Sequence, residues 1–309
     1  MNLQRVIEQY IDFRQSLGTS FITNAITLRA FGRVMGEKAG IADVRPRDVD
    51  AFLGETRPVT STWHGKYSRL RTFFQYAVSR GYIAIAPLPT VIPKRPAPFV
   101  PYIYTREELC RLLRVIDADR RRTCLAPTTI RTLILVLYGA GLRLREATNL
   151  TPADVDLHRS VLTIRHTKFD KTRLVPVGPQ LGQALAKYAT ETQVRRDEAS
   201  FFVTRTGTGV KPDTLQHNFR ILCDRAGIRR TDGTEQPRLH DLRHTFAVHR
   251  LTSWYRQGAD VQRLLHLLSV YLGHVHIRDT QIYLSMTPEL LQEANKRFEN
   301  YAGREQHHD

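Results

Sequence analysis

The sequence predicts a mainly α-helical protein with one small antiparallel sheet, an α+β chain in two domains. Three observations lead there. Apolar residues recur at helical spacing through most of the 309 residues. Only one pair of adjacent runs, SVLTIRH and TRLVPV, reads as a hairpin, with TKFDK as its turn. The stretch APLPTVIPKRPAPFVPY carries Pro87, Pro89, Pro93, Pro96, Pro98 and Pro101, so it cannot be helical and favours an extended connector. It divides a helical domain, 1–86, from a larger domain, 102–309, with 87–101 as the linker.

In the first domain LQRVIEQYIDFRQSLG has helical spacing and stops at Gly18, and FITNAITLRAFGRVMGEKAG repeats the pattern to Gly40. Pro46 opens RDVDAFLGE. TSTWHGKYSRLRTFFQYAVSRG turns Phe73, Phe74, Tyr76 and Ala77 inward and leaves Arg69, Arg71 and Arg80 outside. In the second domain Thr105 and Glu108 form a capping box for TREELCRLLRVI. PTTIRTLILVLYGAG is apolar nearly all round, which places it centrally. After the hairpin come a helix in PQLGQALAKYATETQVRRDEA, a short strand FFV, and a helix from Pro212 to Gly227. LHDLRHTFAVHRLTSWYRQG, ADVQRLLHLLSVYLG and TPELLQEANKRFENYA complete the set.

Composition narrows the function. Apolar residues make up 41% of the chain, enough for a packed core. The run TLILVLYGAGL is too short to span a bilayer, and the charged N-terminal region does not read as a signal peptide. Three widely spaced cysteines, with no CxxC pair, argue against a disulfide framework or thiolate zinc site. A reducing, cytoplasmic setting without membrane attachment is expected. The net charge of +16, from 46 Lys and Arg against 30 Asp and Glu, is spread over both domains and favours a polyanionic partner such as nucleic acid.

Several polar residues stand where packing does not demand them. Arg143, in GLRLREATNL, ends the apolar central helix, where a charge must be paired or face a ligand. Glu146 is placed to hold it, and an ordinary helix-end ion pair would look the same. In HDLRHTF, His240 and Arg243 share a helical face that could meet one phosphate, while Asp241 could orient either neighbour. A metal site from His240, His244 and His249 is the weaker reading, because no HExxH pattern or completing carboxylate is present. Lys168 sits in the hairpin turn, with Lys171 and Arg173 nearby for phosphate contacts. In LGHVHIRDTQIY, Gly273 ends a helix, His274 lies at the reversal, and Tyr283 falls on a short helix. A phenol with an ordinary pKa of about 10 is a usable nucleophile only where cations or a base assist it.

Taken in order, these boxes resemble the tyrosine recombinase, or phage integrase, family. The resemblance implies an N-terminal core-binding domain, a catalytic domain with a C-terminal docking helix, and DNA cleavage through a 3′-phosphotyrosyl intermediate without ATP, metal or other cofactor. It assigns catalytic roles to Arg143, Lys168, His240, Arg243, His274 and the nucleophile Tyr283, with Glu146 in support. His240 is expected to accept or relay the tyrosine proton, and Lys168 to protonate the leaving oxygen. Arg69, Arg71, Lys171 and Arg173 are expected at DNA. The partners implied are double-stranded recombination sites, with a homotetramer, or a mixed assembly with related recombinases, on two duplexes. Two features depart from the family pattern: a longer segment, SWYRQGADVQRLLHLLSVY, before His274, and YLSM after the tyrosine. The alternatives are type IB topoisomerase-like relaxation and a DNA-binding accessory protein that does not cut. A metal-dependent nuclease would need grouped carboxylates, which the sequence does not suggest.

Overall fold

The computed structural model describes residues 1–18, 21–54, 60–96, 99–165, 172–194, 199–286 and 290–296. The chain divides into two compact units, Met1–Phe99 and Val100–Asp309.

The first unit is helical: α1 (Leu3–Ser16), α2 (Ile22–Met35), α3 (Pro46–Leu53) and α4 (Ser61–Ser79). Asn2 caps α1 through its side chain, and Pro46 begins α3 where its missing N–H costs nothing. Val6, Ile7, Tyr10 and Ile11 of α1 meet Leu28 and Phe31 of α2 and Leu70, Phe73 and Phe74 of α4 in one core. Ala77 is buried and Tyr76 packs at the edge of this core. Arg71 and Arg80 are exposed. Arg69 is half-buried and its Nε donates to Asn24 Oδ1 at 2.9 Å, which ties α4 to α2.

The second unit begins with α5 (Arg106–Asp117), which carries the expected Thr105–Glu108 capping box. Next come α6 (Pro127–Gly139) and α7 (Leu144–Thr148), then a three-stranded antiparallel sheet of β1 (Val155–Asp156), β2 (Val161–Ile164) and β3 (Arg173–Pro176). Leu162 pairs with Val175 and Ile164 with Arg173. Helices α8 (Pro179–Glu191), α9 (Pro212–Arg225), α10 (Asp241–Arg256), α11 (Val261–Leu272) and the short α12 (Arg278–Gln281) follow. A 3₁₀ turn, Ile282–Ser285, continues α12, and residues 290–296 are helical.

As its sequence suggests, α6 is central: Ile130, Leu133, Ile134, Val136 and Leu137 are buried in the main core. A second core joins Phe246, Val248 and Leu251 of α10 to Leu265, Leu268 and Leu272 of α11, with Tyr283 and Leu290. The expected strand FFV does not form. Phe201 and Phe202 instead pack at a tilt against Tyr188, and only an isolated bridge joins Val203 to Gly209.

Candidate active site

Two left-handed glycines build the frame of the site. Gly141 (φ +60°) ends the turn after α6, and Gly273 (φ +68°) terminates α11. A side chain at either place would be strained. It would also collide: a Cβ at Gly141 would lie 2.5 Å from the Phe246 ring, and one at Gly273 2.9 Å from Arg173 Nη1. Both turns present carbonyls to arginines. Arg243, on the first turn of α10, donates through Nη1 to Gly141 O (2.7 Å) and through Nη2 to Leu272 O (2.6 Å). Arg143 donates through Nη2 to Gly273 O (3.0 Å).

Glu146 lies at the centre of these cations. Its carboxylate accepts from the Arg143 backbone N–H (2.9 Å) and Arg143 Nη1 (2.8 Å). It also takes both terminal nitrogens of Arg173, at 3.0 and 2.8 Å, and lies 4.0 Å from Arg243 Nη1. Arg173 Nε is spent on Tyr271 O at 3.0 Å. Burial works against the Glu146 anion, but Arg173 and Arg143 outweigh it and hold its pKa at about 2. Arg243, 2% exposed, is pushed down to about 10 by burial and by the neighbouring Arg143. Arg143, with 37% of its side chain exposed, is the more open of the pair.

Tyr283 reaches this cluster from the 3₁₀ turn after α12. It is 1% exposed, and its hydroxyl lies 3.2 Å from His244 Nδ1. Burial raises its pKa above the ordinary phenol value, while Arg243 and Arg143 pull it back by favouring the anion. The His274 ring stacks beside Tyr283 at 6.1 Å, and its Nδ1 is 2.7 Å from the hydroxyl of the fully buried Thr280. His240 meets His244 edge-on at 4.7 Å and keeps an exposed side. All three imidazoles are neutral at pH 7. Burial and the arginine field push His244 to about 3 and His274 to about 4, and lower His240.

The structure thus brings Arg143, Glu146, Arg243, His240, His274 and Tyr283 together from four segments of the chain. Arg173 is placed differently from the phosphate contact expected of it. Its side chain is 11% exposed and all three nitrogens are engaged, so it braces Glu146 from β3. Asp241 does not orient its histidine neighbours. It binds the Arg238 backbone N–H (2.9 Å) and guanidinium (3.1 Å). His249 leaves the cluster to bond the Tyr138 hydroxyl at 3.0 Å. Among the described residues no group of three His, Cys, Asp or Glu is arranged to hold a metal. Lys168 and Lys171 lie outside the described residues. Sequence reasoning gave no role at Tyr283 to His244 and overlooked Thr280. For His244 the only signal was its place beside Arg243. For Thr280 it was the i, i+3 spacing to the tyrosine.

Residues 104–289 match the phage integrase family. The chain is 37% identical over 304 residues to "Putative integrase/recombinase y4rB" of Sinorhizobium fredii, covering 96% of each chain. It is 30% identical over 304 residues to tyrosine recombinase XerA of Thermococcus onnurineus, covering 96% of this chain and 95% of that one. In fold it is similar to a lambda integrase tetramer bound to a Holliday junction, with a TM-score of 0.65, 15% identity, and coverage of 89% of this chain and 78% of that one.

Proposed function

Because the chain belongs to the phage integrase family of tyrosine recombinases, we propose that it recombines specific DNA sites with Tyr283 as the nucleophile. The phenolic oxygen attacks a backbone phosphate, giving a 3′-phosphotyrosyl link and a free 5′-hydroxyl. Arg143 and Arg243 stabilise the charge on the five-coordinate transition state, a type of contact worth about 3–4 kcal/mol of barrier. His274 and His240 hydrogen-bond the scissile phosphate, and Lys168 protonates the leaving oxygen. Glu146, braced by Arg173, holds the arginines in register. The covalent link conserves the bond energy, so a second 5′-hydroxyl reverses the step without ATP. The cations carry the charge stabilisation that many nucleases take from a metal, and no metal is required.

The observation that carries this reading is the Tyr283 hydroxyl held by α10 beside Arg243, whose two carbonyl partners are the turns bearing Arg143 and His274. The hydroxyl is covered, so DNA must displace the short 278–285 segment to bring it to phosphorus, on the same protomer or a neighbour. Four protomers on two duplexes, acting in the cytoplasm, complete the proposal. Its support is the lambda integrase assembly of similar fold. Among the described residues no helix is long and apolar enough to cross a membrane.

The test is a nicked suicide duplex, from which the cleaved 5′-hydroxyl fragment diffuses away and traps the intermediate. A covalent protein–DNA adduct that survives EDTA and is lost in Tyr283→Phe is expected. Cleavage that needs a divalent ion, or that persists in Tyr283→Phe, would overturn the proposal.

A further inference from the structure

Attack by Tyr283 requires its hydroxyl to give up a proton, and the family pattern leaves His240 as the expected acceptor. The geometry differs. Among the described imidazoles, His244 is the one hydrogen-bonded to the hydroxyl, Nδ1 to oxygen at 3.2 Å. His240 is one helical turn away, edge-on to His244 with an exposed side. His274 has committed its Nδ1 to Thr280. Helix α10 therefore offers His240 outward to the phosphate and His244 inward to the nucleophile, with Arg243 between them.

We propose that His244 is the general base of strand cleavage and the general acid of rejoining. The inference rests on Tyr283 being the nucleophile. As the bond from phenolic oxygen to phosphorus forms, the bond from phosphorus to the 5′-oxygen breaks. The phenolic proton passes to His244 Nδ1, and the leaving 5′-oxygen takes a proton from Lys168. In the reverse step the attacking 5′-hydroxyl returns its proton to Lys168, and His244 returns its own to the departing phenol. For Nδ1 to accept, the neutral ring carries its proton on Nε2. The charged and titratable groups facing His244 are His240, Arg243, Arg238, His274 and Tyr283. Burial, and after it the field of Arg243 and Arg238, keeps the ring neutral in the free protein, with its lone pair available. An arriving phosphodiester anion offsets that field and raises the basicity of the ring, while bonding to phosphorus makes the phenolic proton more acidic.

His244→Asn separates base from positioner. The asparagine side chain can still accept the phenolic hydrogen bond but cannot take the proton. The assay uses nicked suicide duplexes with either oxygen or sulfur at the bridging 5′ position, since a thiolate leaves without a general acid. The variant is expected to bind DNA as the wild type does and to cleave about 10²-fold more slowly on both duplexes. Its rate should climb with pH, because below the phenol pKa each unit raises the phenolate fraction about tenfold, while the wild type responds less. Near wild-type cleavage, or rescue by the sulfur duplex, would overturn the assignment. His244→Gln, with the same hydrogen-bonding logic, serves if the asparagine variant fails to fold. If the wild type forms no Tyr283 adduct, the nucleophile assignment falls and this inference with it. A wild-type adduct alongside an unimpaired His244→Asn overturns this inference alone.

Discussion

Glu146 shows how much of the site hangs on one carboxylate. Its two oxygens gather Arg143 and Arg173 and lie near Arg243, so removing the negative charge leaves three cations facing one another. Glu146→Gln is expected to destabilise the fold by about 3–5 kcal/mol, the usual cost of breaking a buried ion pair, read from denaturant midpoints. The pH dependence has a definite sign. The folded pKa of Glu146, about 2, lies below its unfolded value, so its stabilisation is present above about pH 4.5 and is lost as pH falls towards 2. The lowered imidazoles act in the same direction from about pH 6.5 downward, because the unfolded chain binds their protons first. Acid titration should therefore weaken the wild type steadily, and Glu146→Gln should flatten the lower part of that curve. Arg143, Arg243, His274 and Tyr283 were legible in the sequence only as an ordered set that resembles the family's boxes, since each by itself reads as an ordinary ion pair, structural histidine or packing tyrosine. The bracing role of Arg173 was not, because its partner lies 27 residues away and only the sheet brings them together.

The turns are where local chain geometry sets the chemistry. Gly273 and Gly258 share nearly the same backbone angle, φ +68° and +67°, but a Cβ meets Arg173 only at Gly273 and open space at Gly258. Each alanine substitution should cost about 1–2 kcal/mol in backbone strain. Gly273→Ala should cost more than Gly258→Ala, because it also pushes Arg173 off Glu146, and it alone should slow DNA cleavage. Equal costs in thermal melts would mean that the Arg173 contact contributes nothing. Helix periodicity made most helices legible, and the β2–β3 hairpin followed from alternation. The two-residue β1 is too short to leave a pattern, and FFV has strand composition but a phenylalanine pair that packs on Tyr188 instead.

Across the whole molecule, the charge of +16 is the property that needs no geometry to have a consequence. Binding that releases counterions loses affinity with a log–log slope of about −0.9 per phosphate neutralised. A steep fall in duplex affinity with added salt is expected, and a flat response would contradict a phosphate-gripping surface. The two-unit organisation was suggested by prolines alone, since a segment that cannot be helical interrupts an otherwise helical chain. The hidden position of the tyrosine could not be read that way, because burial depends on packing between α10, α11 and the 278–285 segment. The most direct test follows from that buried hydroxyl. The protein is trapped on a nicked duplex and digested, and the DNA-bearing peptide is sequenced by mass spectrometry. The expected peptide carries a 3′-phosphate ester on Tyr283, whereas attachment at another residue, or through a 5′-phosphate, would contradict the site as described.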